Sequence, residues 1–156
     1  MHPLGKPPRH EAIDRKPTTT KPIGYWLNRT DKALTRYMNA MLAEFGLTRT
    51  AWQVLNLVKD APQAADAEVL ATLTANATVA TLTAAIETVI ADGWAGRPEP
   101  GRLTLTEHGR TRLANVAERI HAFRELSTAG ITHDEYRTAV TVLERMTHNL
   151  ENEAGL

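Results

Sequence analysis

No cysteine occurs in the 156 residues, which excludes a disulfide framework, a thiolate metal site and a cysteine nucleophile. Lysine plus arginine and aspartate plus glutamate number 18 each, so no global basic field exists and a polyanionic partner would have to be held by local charge. No apolar run approaches the length of a bilayer-spanning helix, and the opening MHPLGKPPRHEAIDRKPTTTKP lacks the apolar centre of a secretory signal. The expected compartment is therefore the cytoplasm. Catalytic signatures are missing too: there is no Gly-rich phosphate loop, no G-x-S-x-G and no H-E-x-x-H, so neither an enzyme nor a cofactor is expected. Glu107-His108 finds Arg110, Thr111 and Arg112 where a third ligand would stand, so no metal site is expected. The most pointed lack is local. From Asp60 to Gly96, a run of 37 residues, there is no Lys or Arg, whereas Asp60, Asp66, Glu68, Glu87 and Asp92 are acidic.

What is present is amphipathic helix. The composition, 42% hydrophobic and 23% charged, suits one domain with a real core or a small core carrying association helices. Five of the eight prolines, Pro3, Pro7, Pro8, Pro17 and Pro22, fall in the first 22 residues. Residues 1–21 therefore read as a flexible, mildly basic arm, with Lys6, Arg9, Arg15, Lys16 and Lys21 against Glu11 and Asp14. From Ile23 the apolar residues Trp26, Leu27, Leu34, Tyr37, Met38, Met41, Leu42 and Phe45 recur at steps of three and four, which predicts a helix stopped by Gly46. Thr48 caps a second helix with Trp52, Leu55 and Val58 on its stripe. A third covers about 66–75, with Ala67, Leu70 and Leu73 inward. After the turn Thr74-Ala75-Asn76-Ala77, a fourth places Val79, Leu82, Ile86, Val89 and Ile90 inward as far as Asp92-Gly93. Two short helices across a tight turn fit a helix-turn-helix. The acid-rich, cation-free run lies over this pair, where a DNA-reading element normally leans on cations to neutralise phosphates.

Residues 94–97, Pro98-Glu99-Pro100-Gly101 and residues 102–106 read as strand, turn and strand, the small hairpin that forms a wing. A long fifth helix opens at Thr106 or Glu107, with Leu113, Val116, Ala117, Ile120 and Phe123 on one side. Thr132 with Glu135 forms a capping box for a sixth, whose apolar side holds Tyr136, Ala139, Val140, Leu143, Met146, Thr147 and Leu150. The expected division is 1–21 arm, 22–46 dimerisation helix, 47–106 winged helix-turn-helix and 107–156 C-terminal dimerisation helices. The outer stripes need a partner, and the simplest is a second copy of the chain.

This order, with GYWLNRTDKALTRYMNAMLAEFGLTRTAWQVLNLV, IADGWA, LTLTEHGRTRL and RMTHNLE, resembles the MarR family of bacterial transcription regulators over about residues 22–153. The resemblance implies a mostly α winged helix-turn-helix fold and a triangular homodimer joined through its first and last helices. It also implies binding to double-stranded DNA at a pseudo-palindromic operator. In such proteins a small molecule, often phenolic or acidic, settles between the dimer helices and the DNA-binding lobe and weakens the grip on DNA. Two features differ from the family pattern. The hairpin GRPEPGR is short and has no Asp, leaving Arg97 and Arg102 as wing cations. The presumed recognition helix offers Thr78, Ala80, Thr81, Ala84, Ala85 and Thr88 outside its apolar stripe, where cations are commoner.

On this reading Asn76, Thr78 and Thr81 meet base edges or phosphates, and Arg49, Arg97 and Arg102, with Arg110 and Arg112, meet phosphates. Trp26, Arg29, Tyr37 and Trp52 make an aromatic wall with one guanidinium, suited to a planar carboxylate or phenolate. His121 and His148 fall on helices expected to dimerise and to respond to pH or ligand. The expected function is a ligand-relieved, homodimeric DNA-binding repressor. Two alternatives stay open: a MarR-shaped protein that has lost DNA recognition and binds a small molecule or a protein, and a cofactor-free enzyme using an interhelical cavity.

Overall fold

Threonine hydroxyls start four of the helices. Thr48, Thr78, Thr106 and Thr132 take extended N-cap conformations and accept hydrogen bonds from the amides of Ala51, Thr81, Gly109 and Glu135, each satisfying a donor that the first helical turn leaves orphaned. The computed structural model describes residues 20–155, so Lys6, Arg9, Arg15 and Lys16 of the predicted arm lie outside the described residues. The elements are α1 (Ile23–Ala43), α2 (Arg49–Asp60), β1 (Ala64–Ala65), α3 (Asp66–Leu73), α4 (Val79–Ala91), β2 (Ala95–Gly96), β3 (Arg102–Leu105), α5 (Glu107–Ser127) and α6 (His133–Ala154). The chain divides into two compact units, one up to Tyr37 and one from Met38.

The described part of the first unit is the start of α1 and the residues before it. Tyr25 and Trp26 meet edge to face with ring centroids 4.9 Å apart. Lys21 lies over the Tyr25 ring at 5.3 Å and Arg29 over the Trp26 ring at 5.8 Å. Arg29 also donates from Nη1 to the Tyr25 hydroxyl at 3.1 Å. This is a solvated cluster of rings and cations at the start of one helix and just before it.

The second unit is built around Val54, Leu55 and Val58 of α2, which meet Val69 of α3, Leu82 and Val89 of α4, Trp94, Leu103 of β3 and Val116 of α5 in one buried core. The sheet has three strands in the order β1-β3-β2, all antiparallel. Pairing sets Ala64 opposite Leu103 and Ala95 opposite Leu105. The alternation along 102–105 buries Leu103 and Leu105 as the period-two pattern requires. Strand β1 has no counterpart in the sequence reading, because two alanines carry no strand signal of their own; pairing with β3 creates it.

Three expectations are corrected. Helix α3 ends at Leu73 and buries Val69 and Leu73, whereas Ala67 is exposed; at eight residues it is too short for a longer stripe to express itself. On α4, Val79 is 55% exposed and Ala85 buried, because Val79 is the first helical residue and stands clear of the core that the next turn enters. Ala117 of α5 is exposed rather than inward. Helix α6 buries no residue at all in the single chain, so Tyr136, Val140 and Leu150 stand exposed and Leu143 and Met146 only half-covered.

Candidate nucleic-acid interface

The turn between α3 and α4 is tied by the Asn76 and Ala77 amides, which both donate to the Leu73 carbonyl. That closure brings Asn76 and Thr78 to the surface at the start of α4. The Thr78 hydroxyl accepts from the Thr81 amide at 3.1 Å and donates to the Thr81 hydroxyl at 2.9 Å. Thr78 is thus occupied as a cap, and Thr81 keeps a hydroxyl proton to offer outward. The exposed face of α4 runs Val79, Ala80, Thr81, Thr83, Ala84, Glu87 and Thr88. Thr81, Ala84 and Thr88 line a groove of about 420 Å³ together with Thr48 and Thr50 from the start of α2. Arg49, exposed between those two threonines, has no ion pair among the described residues.

The wing cations behave differently. Arg97 makes a two-pronged contact with Asp66, Nη1 to Oδ1 and Nη2 to Oδ2 both at 2.9 Å, and donates again to the Arg102 carbonyl at 3.3 Å. The hydrogen bond from the guanidinium to Asp66 raises the Arg97 pKa, against a smaller opposing effect of burial. The Asp that the short hairpin lacks is therefore supplied by the first residue of α3, 31 positions away, which no local motif could reveal. Arg102 donates to the Gln63 carbonyl at 3.3 Å and stands 3.9 Å from Glu68. Glu68 itself receives the Ala65 amide at 2.8 Å, serving the α3 N-terminus where alanine offers no capping oxygen. Two of the carboxylates in the cation-free run thus hold the root of the wing.

Two further arginines are tied to main-chain carbonyls. Arg112 stacks over the Trp94 ring at 3.9 Å and donates to the Phe45 carbonyl at 3.2 Å, so its charge is spent on a buried indole. Arg110 donates to the Leu105 carbonyl at 3.2 Å. Sequence reasoning placed Trp94 in the hairpin and missed its role as a 1% exposed core residue. It also missed Gly109, whose amide donates to the Thr106 hydroxyl while that hydroxyl donates to the Gly93 carbonyl. A Cβ on Gly109 would fall 1.9 Å from the Trp94 carbonyl oxygen. The signal was the Thr-Glu-His-Gly step into α5, legible only as a helix start.

Of the residues chosen for a ligand, Trp26, Arg29 and Tyr37 lie in the first unit, with Trp26 and Arg29 brought together as described. Trp52 is half-buried on α2, and His121 and His148 are exposed on α5 and α6. Among the described residues no cluster of three metal-ligating side chains occurs, and no helix is long and apolar enough to cross a membrane.

No protein-family model and no curated protein matches the sequence. Solved structures do. The MarR family protein Rv2887 of Mycobacterium tuberculosis, in a complex with DNA, is 25% identical over 81% of this chain and 98% of its own, with a TM-score of 0.66. The same protein with salicylic acid gives 24% identity over 81% and 99%, with a TM-score of 0.58. The reduced form of MarR from E. coli gives 19% identity over 82% and 95%, with a TM-score of 0.65. On these matches this chain has the fold of the MarR family over most of its length.

Proposed function

We propose that the chain is a homodimeric transcriptional regulator, a repressor, that sets α4 in the major groove and is released by a small aromatic or acidic ligand. The observation that carries this reading is the threonine- and alanine-rich face of α4, with Glu87 as its one charge, beside Arg49, which has no ion pair among the described residues, since a helix N-terminus with a neighbouring guanidinium favours phosphate. Thr81 and Asn76 are the side chains offered to base edges, with Arg102 steadying the wing. The likeness to a relative crystallised with DNA supports the same reading. The dimer is supported by α6, whose Tyr136, Val140 and Leu150 stand exposed among the described residues. Two copies would present two lobes to half-sites about 34 Å apart, and a ligand favouring another spacing would shift the population away from the bound state. Trp26, Arg29, Tyr37, Trp52 and His121 are the residues whose chemistry suits that ligand.

A second reading, a protein of this fold that binds no DNA, is favoured by the pairing of Arg97 and Arg102 with carboxylates. One experiment separates the two. Fluorescence anisotropy at low salt, using duplexes that flank the chain's own gene, should give saturable binding that falls at least tenfold for Arg49→Glu with Arg102→Glu, while far-UV circular dichroism is unchanged. A flat titration of the wild-type protein overturns the DNA reading and leaves the second.

A further inference from the structure

Helix α4 turns a single charge outward. Its buried stripe is Leu82, Ala85, Ile86 and Val89, and at 3.6 residues per turn the line opposite that stripe is Ala80, Ala84, Glu87 and Ala91, each exposed. The Glu87 carboxylate makes no hydrogen bond or ion pair among the described residues. Its charge is felt at Arg97, where it adds to the upward pKa shift that the hydrogen bond to Asp66 dominates, so Glu87 stands on the side of α4 that adjoins the wing. Ala80 and Ala84 carry no atom beyond Cβ, and nothing along this line holds the helix away from a surface pressed against it. On a helix that faces water such a carboxylate needs no partner. On a helix set between two rows of phosphates it is repelled wherever it meets no donor. The major groove offers two amino donors, N4 of cytosine and N6 of adenine. The adenine amino group has acceptors on both sides, its own N7 and the thymine O4, whereas the cytosine amino group is flanked by one, the guanine O6. A carboxylate only accepts, and cytosine is therefore the base edge that fits it. From Ala80 to Glu87 the helix rises about 10 Å, a span over which a recognition helix in the major groove places side chains on base edges.

We propose that Glu87 is a specificity-determining residue, whose carboxylate accepts a hydrogen bond from the N4 amino group of one cytosine in each half-site. This inference rests on the DNA reading of α4 given above. Glu87 then acts as a selector: it weakens the grip on every sequence that lacks the cytosine, as an unpaired charge does when it discriminates between partners. Thr81 stands on the other flank of Ala84, in the groove shared with the start of α2, so the two side chains address different base pairs.

The test is selection of duplexes from a randomised library by the full chain as wild type, Glu87→Gln and Glu87→Ala, followed by sequencing. The wild type should enrich half-sites with a C·G pair fixed at one position. Glu87→Gln should change that position to A·T, because an amide accepts from adenine N6 and donates to N7, and should leave the other positions as they are. Glu87→Ala should leave the position unspecified. In anisotropy titrations, changing the fixed pair to T·A in the selected duplex should weaken the wild type about tenfold or more and Glu87→Ala less than about twofold. Both variants should bind a duplex of scrambled sequence more tightly than the wild type does, an effect that damage to the fold would not produce. The same selected sequence for wild type and Glu87→Gln, or uniformly weaker binding of the variants to every duplex, overturns the role of Glu87 and leaves the DNA reading in place. A wild type that enriches no sequence overturns the DNA reading and this inference with it.

Discussion

Gly109 is where one missing methyl group decides how α5 meets the wing. The helix approaches the backbone of Trp94 so closely that a Cβ would lie 1.9 Å from its carbonyl oxygen and 2.7 Å from its carbonyl carbon. Backbone cannot swing aside as a flexible side chain can, so the cost of Gly109→Ala falls at the upper end of overpacking, about 3 kcal/mol. For a chain of this length that is a Tm loss of about 6–12 °C. Thermal unfolding of the variant measures it, and an unchanged Tm would mean that the two backbones part easily. Nothing local in the sequence distinguishes this glycine from an ordinary weak helix residue, since its constraint comes from a carbonyl in another element. The same holds for Arg97 and Asp66: each was legible as a charge, but their pairing was not, because a contact across 31 residues is set by the fold. By contrast, the caps Thr48 and Thr132 were read directly, since their partners stand three residues on, whereas Thr78, read as a DNA contact, serves as a cap with the same spacing.

Elements whose signal is periodic and long were the most legible. Helices α1, α2, α5 and α6 stand where apolar spacing and capping residues put them, and the hairpin follows from Pro100-Gly101 and the alternation of residues 102–105. Short elements were less so: α3 is two turns long, and β1 exists only as a partner to β3. The capping box of α6 adds a pH dependence. Glu135 receives the Thr132 amide at 2.8 Å, and hydrogen bonding to Thr132 holds its carboxyl below the usual carboxylate range. A lowered folded-state pKa means that the stabilisation is complete above the ordinary carboxylate value and disappears as pH falls through the lowered one. Glu44, lowered chiefly by its hydrogen bond to Arg119, acts in the same direction. Urea unfolding between about pH 3 and pH 7 should therefore show stability falling on the acid side. Glu135→Gln should make that fall shallower, and an identical profile for the variant would remove the capping carboxylate from the account.

For the whole molecule the governing fact is the balance of 18 cations and 18 anions combined with partly exposed apolar residues on α1 and α6 among the described residues. Ile23, Trp26 and Leu27 on α1 and Tyr136, Val140 and Leu150 on α6 are all 40% exposed or more, an arrangement that burial against a second copy would relieve. Sedimentation velocity should give twice the 17.2 kDa chain mass. Tyr136→Glu with Val140→Glu should shift the species to the single chain, and a wild-type monomer at micromolar concentration would refute the dimer. The carboxylate of Asp66 gives the molecule one more property. On the DNA reading proposed above, Arg97 already carries an anion of its own, so a phosphate arriving at the wing would displace a tethered side chain in place of a mobile salt ion. Ion release on that association would then involve fewer small ions than a census of arginines suggests, and the logarithm of affinity should decline with added salt along a correspondingly gentle line.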